Sequence, residues 1–184
     1  MTLTAVWFGV SAVACLLIAR RWPSLKIPVV AAFVLTAGAT GAYLGLTTLR
    51  DRVVHDRVIT AVAPMPGARE VARGPLELAR GRFRSHEHAT AGTARLIRAP
   101  DGRRFITLTS FSTSPGPDLR VRLVPGGSID GGADGAVDLG ALKGNRGDQQ
   151  YAVPSGVDVT GRSVLIWCRA FSAPFGSATL RRAT

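Results

Sequence analysis

Cysteine and lysine are scarce in this chain, and so are the usual catalytic signatures. Each scarcity narrows what the protein can be. Two cysteines in 184 residues, Cys15 and Cys168, cannot build the disulfide framework of a small secreted scaffold. No Cys-x-x-Cys-His run occurs, which excludes covalent attachment of a c-type haem. Lysine stands only at 26 and 143, so the net charge of +11 is almost wholly arginine. No acidic residue precedes Asp51. Nucleophile elbow, Walker loop, dinucleotide fingerprint and zincin helix are all missing, which leaves a hydrolase or a transferase without support. No nucleic-acid-binding motif accompanies the basic charge, so nucleic acid is not an expected partner.

What is present begins with two uncharged apolar runs, residues 2–19 and 27–49. Each is long enough to cross about 30 Å of hydrocarbon at about 1.5 Å per residue. They predict a two-span anchor over residues 1–49, with membrane lipid as a partner. A cleaved signal peptide does not fit the first run. It has no basic start, and Arg20-Arg21-Trp22-Pro23 follows it where small residues are needed. The short loop with Arg20, Arg21 and Lys26 places that loop in the cytoplasm by the positive-inside rule. Arg50, Arg52 and Arg57, just past the second run, pull the other way, so charge alone does not orient the chain. Gly38, Gly41 and Gly45 give the second run a face of small residues, which can pack the two spans together or dimerise the protein, the first being the expectation. Residues 50–79 read as a juxtamembrane segment and linker. A short helix over 50–62 is stopped by Ala63-Pro64-Met65-Pro66-Gly67, and Gly74-Pro75 interrupts the coil that follows. The 20 basic residues after Leu49 outnumber the 12 acidic ones, leaving +8 on that part. Such a balance favours anionic head groups or an anionic surface polymer.

Over residues 80–184 the texture changes to short alternating segments separated by turn residues. In 103–111, Ile106 and Leu108 point one way and Phe105, Thr107 and Thr109 the other. In 118–124, Leu119, Val121 and Leu123 share a face opposite Arg120 and Arg122. Further strands are expected over 81–86, 93–98, 149–153, 163–171 and 177–182. Seven or eight short strands at this spacing predict an all-β domain, an antiparallel β-sandwich or barrel. Residues 126–135 read as a flexible, mildly acidic loop.

Two groups can carry chemistry. In Ser163-Val164-Leu165-Ile166-Trp167-Cys168-Arg169, period-two alternation puts Val164, Ile166 and Cys168 on one face and Leu165, Trp167 and Arg169 on the other. Arg169 prefers water, so Cys168 is expected to face the core. A cysteine there either packs as a small hydrophobe or works as a thiol, and the second role needs access and thiolate character. The other group is His86-Glu87-His88. Two histidines two apart on a strand project to one side, and with Cys168 they make a set suited to copper or zinc. A haem iron held by Cys168 or a histidine is chemically open as well, as is no cofactor at all.

Several blocks in order carry a resemblance. They are Gly81-Arg82-Phe83, His88, Gly92-Thr93, Phe111 and Gly116-Pro117-Asp118-Leu119. Asp138-Leu139-Gly140-Ala141-Leu142-Lys143-Gly144-Asn145 and Gly147-Asp148-Gln149-Gln150-Tyr151 come next. Val164 through Phe171 follows, with Phe175-Gly176 and Ala178. This set resembles the DM-thirteen (Skeletor-type) electron-transfer domain over about residues 80–182. The resemblance implies an all-β extracytoplasmic domain with redox chemistry at Cys168, as a bare thiol or as the holder of a prosthetic group, and with His88 as the matching histidine. It also implies an extracytoplasmic redox partner, and it orients the chain as a multi-pass membrane protein with its C-terminal domain outside. The alternative is a non-catalytic β-sandwich for binding or adhesion, with Cys168 as core packing.

Overall fold

The computed structural model describes residues 2–60 and 74–183. It forms two compact units, Met1–Leu49 and Arg50–Thr184. The first is helical: α1 (Thr2–Arg21), a 3-10 turn at Pro23–Leu25, and α2 (Lys26–Leu49). Pro28 sits in the first turn of α2, where its missing N–H would have had no partner anyway. Among the described residues one stretch, Pro23–Tyr43, with mean hydropathy 1.6, is long and apolar enough to cross a membrane. The expectation of two such stretches is met by one. Among the described residues no atom lies within 4 Å of a Cβ built on Gly38 or Gly41.

The second unit is a sandwich of two sheets. Its strands are β1 (Val53–His55), β2 (Leu76–Arg82), β3 (Arg84–Ser85), β4 (Thr90–Arg98), β5 (Arg104–Thr113), β6 (Leu119–Pro125), β7 (Val137–Ala141), β8 (Arg146–Val153), β9 (Arg162–Cys168), β10 (Ala173–Thr179) and β11 (Arg181–Arg182). One sheet runs β1-β8-β5-β4-β2-β11 and the other β3-β10-β9-β6-β7. The pairs are antiparallel except β1 with β8. The alternation in β5 and β6 sets the core. Ile106 and Leu108 meet Leu119, Val121 and Leu123 between the sheets, together with Val164 and Ile166 of β9. Each such aliphatic side chain contributes about 1.5–3 kcal/mol by leaving water. Phe83 and Phe111 close one part of this core edge to face, centroids 5.3 Å apart.

β9 departs from the expected in-and-out pattern: every residue from Ser163 to Cys168 is buried. Leu165 and Trp167, on the outer face, pack with Val124 and Ala136. Residues 126–135, expected as a flexible loop, are the cover together with Ala136. A Cβ on Gly131 would stand 2.3 Å from the Trp167 ring, so only glycine lets the chain lie flat on the indole. Arg162 ties this strap down by donating to the Gly135 carbonyl at 2.6 Å. A strand apolar on both faces needs two covers. Arg169, taken as the marker of a wet face, lies one residue past the end of β9 and says nothing about it.

Residues 50–60 correct the linker reading most sharply. They belong to the β unit, and β1 replaces the expected juxtamembrane helix. Val53, Val54 and His55 lie parallel to Arg146, Gly147 and Asp148. The motif block around Gly144 and Tyr151 makes the seat. Asn145 Oδ1 accepts the Arg52 N–H at 2.6 Å, and its amide nitrogen donates to Asp51 at 2.7 Å and to the Thr113 carbonyl at 3.1 Å. The Asp56 carboxylate takes the Lys143 ammonium and the Gln150 N–H, contacts that hold its carboxyl below the usual range. The Ala63-Pro64-Met65-Pro66-Gly67 turn and residues 68–73 lie outside the described residues. The expected linker over 50–79 is also shorter than supposed at its far end, since β2 starts at Leu76.

Tyr151 gives this seat a pH signature. Its hydroxyl donates to Gln149 Oε1 at 2.7 Å and accepts from the Lys143 N–H at 3.0 Å. Burial of the ring pushes the phenol up to about 12 from 10.0. A raised folded pKa means this contribution to stability is full below pH 10 and is lost as pH rises toward 12. The loss is about 2–3 kcal/mol, from about 1.4 kcal/mol per pH unit. Thermal unfolding followed from pH 9 to 12 is expected to show this fall, and Tyr151→Phe should flatten it.

Candidate redox site around Cys168

Cys168 is the last residue of β9, between Leu119 of β6 and Ala173 of β10 in register. It is fully buried and belongs to the core cluster with Val164 and Ile166, as the alternation predicts. What lies beyond it matters more. The chain leaves the sheet through Arg169-Ala170-Phe171-Ser172 and returns as β10. Ser172 adopts φ 50° at the tip, and Phe171 is 40% exposed. Arg169 fastens this turn to the start of β6. Its backbone N–H donates to the Asp118 carbonyl at 2.9 Å, and its Nε donates to Asp118 Oδ2 at 2.6 Å. In the sequence Asp118 carries no role beyond its place in Gly116-Pro117-Asp118-Leu119. Its presence with Arg169 in the motif blocks was the available signal for the latch.

Phe175 of β10 joins the same core cluster, and the His88 imidazole lies over it, centroids 4.0 Å apart and tilted 31°. Gly116 closes the end: a Cβ there would stand 2.9 Å from Leu119 and 3.1 Å from Phe175. His88 thus reaches the Cys168 cluster through the Phe175 ring, while its own side chain stays exposed. His86 has a different partner. Its Nε2 lies 2.8 Å from Ser177 Oγ, and its backbone N–H donates to the Phe175 carbonyl at 2.9 Å. β3 ends at Ser85, so the two-residue repeat that was to aim both histidines to one side does not run through them.

These positions test the candidate cofactors. Among the described residues no three His, Cys, Asp or Glu side chains come together to hold a metal ion. A copper or zinc centre of His86, His88 and Cys168 therefore lacks its ligand geometry. A haem iron needs an open approach to its axial sulfur, and Cys168 has zero exposure. Neither group fits the side chains as they stand. Bare-thiol chemistry meets the same obstacle, because exchange requires a thiolate that a partner can reach. What the arrangement offers is a thiol one residue inside a latched turn, in a dry apolar surround.

An all-β, two-sheet domain with a sealed cysteine at a strand end is the class that fold and site define. Residues 82–180, more than half of the chain, match the family described as Electron transfer DM13, and the chain belongs to that family. No match was found among the curated proteins or the solved structures.

Proposed function

We propose that this protein is a membrane-anchored electron-transfer component. In this reading two N-terminal spans hold the β domain on the extracytoplasmic side, and Cys168 is the centre of its redox chemistry. Family membership supports the electron-transfer role. The observation that carries the cysteine part is its placement, at the end of β9 directly before a turn held by one ion pair. The chain has one other cysteine, Cys15 in α1, so an internal disulfide is not the oxidised state of this reading. As a bare thiol, Cys168 loses its proton and attacks a disulfide of an extracytoplasmic partner. The new S–S bond forms as the old one breaks, and the departing sulfur leaves as thiolate with the electron pair. The step requires the Arg169–Ser172 turn to swing off first.

Alkylation of the folded full chain tests the gate. Removing the latch with Arg169→Gln is expected to speed Cys168 labelling about two- to five-fold, the equivalent of about 0.4–1 kcal/mol for an exposed pair. A thiol that labels only after denaturation, in wild type and variant alike, overturns the gate. The second reading, a binding or adhesion module with Cys168 as core, is favoured by the complete burial of that residue, and the same labelling result would select it.

A further inference from the structure

The outer face of the β1-β8-β5-β4-β2-β11 sheet carries arginines that the redox reading does not use. Register partners in an antiparallel pair project to the same side. Arg181 of β11 opposes Arg80 of β2, and Arg80 opposes Arg95 of β4. Arg82, two residues beyond Arg80, lies on the same face opposite Thr93. Like charges directly across strands repel and destabilise a sheet. Here the row is kept, with one carboxylate among the described residues to offset it. Glu77 sits 3.6 Å from Arg80 and 3.3 Å from Arg95, and its side chain is only 6% exposed. Arg95 is further committed to the Thr109 hydroxyl at 2.5 Å. Arg80, Arg82 and Arg181 are exposed. A buried acid that holds the root of the row and leaves Arg82 and Arg181 without an acidic partner among the described residues is an arrangement for receiving negative charge.

We propose that this arginine face docks on an anionic phospholipid surface. A lipid surface suits it better than a soluble polyanion because the chain also carries a helix able to cross a membrane, Pro23–Tyr43. Tethering holds the arginines at high effective concentration next to head-group phosphates, so weak individual contacts suffice. Guanidinium groups pair with phosphate oxygens through two parallel N–H donors. The proposal rests on the anchoring part of the functional reading and not on Cys168.

Full-length protein in vesicles of phosphatidylcholine alone, and in vesicles containing phosphatidylglycerol, provides the test. Retention in the vesicles after an alkaline wash first establishes the anchor separately. Hydrogen exchange of peptides covering β2 and β11 is then expected to slow on the phosphatidylglycerol vesicles only. The slowing should vanish near 1 M salt, where the screening length is about 3 Å. The triple variant Arg80→Gln/Arg82→Gln/Arg181→Gln should abolish it, since each arginine accounts for about a five-fold change in surface affinity. The off-face pair Arg84→Gln/Arg98→Gln should leave it intact. Equal exchange on both vesicle types overturns the proposal for an anchored chain. Slowing by soluble polyphosphate without any by phosphatidylglycerol also overturns it, in favour of a polymer partner.

Discussion

Cys168→Ser is expected to lower the stability of the β unit by about 1–3 kcal/mol and to remove its redox activity. The stability cost follows from burial. Cys168 has zero exposure among Val164, Ile166 and Phe175, so a serine hydroxyl there has no water and no apolar role. Cys168→Ala separates the two effects. It removes the sulfur without introducing a polar group, leaves a small void, and should cost about 1 kcal/mol. Under the proposed function both variants lose electron transfer completely while the alanine variant stays folded. If Cys168 is core packing, serine destabilises and neither substitution changes function. Denaturant unfolding read beside an exchange assay with oxidised glutathione distinguishes these outcomes.

Gly147→Val is expected to have the largest effect on the fold. Gly147 lies at φ +100°, where a β-branched side chain costs about 1–3 kcal/mol by itself. A Cβ at this position would also stand 1.9 Å from the Val54 carbonyl oxygen. That neighbour is backbone and cannot turn aside, so β1 must leave β8. Its departure strands the side chain of Asn145, which is buried and hydrogen-bonded to Arg52 and Asp51. The total therefore exceeds the backbone term. Amide exchange should show residues 53–55 losing protection in this variant, with the β4–β5 pair retained. Protection unchanged at 53–55 would mean that the parallel pairing is not as described.

The parts of this structure that the sequence made legible are those where apolar residues alternate with polar ones along a strand. Ile106, Leu108, Leu119, Val121 and Leu123 alternate with polar residues, and all face the inter-sheet core. Cys168 faces the core as expected, although Arg169, the reason given for that orientation, lies beyond β9. Legibility failed where a second layer covers a strand. Leu165 and Trp167 look like a solvent face until residues 126–136 lie across them. β1 was hidden for another reason. Three residues carry no readable period, and a parallel pairing with a strand more than 90 residues away leaves no local mark. Its signal was in the partner, in Gly144, Asn145, Gly147 and Gln149, which sequence reading took as family marks without a task. The histidines failed for want of a strand: with β3 ending at Ser85, His86 turned to Ser177 and His88 to Phe175. The Asp118–Arg169 latch joins residues 51 apart in sequence, and only the β6–β9 pairing brings them together.

The central claim is that electrons pass through this domain at Cys168. Incubation of the full chain, purified from its membrane and held in a bilayer, with an excess of oxidised glutathione as the disulfide partner tests it directly. The account predicts that the folded wild-type protein forms a mixed disulfide at Cys168 and releases one equivalent of reduced glutathione that Cys168→Ala does not release, with the two proteins unfolding within the few degrees that about 1 kcal/mol accounts for. Equal release from both, or none from the folded wild type, would contradict it.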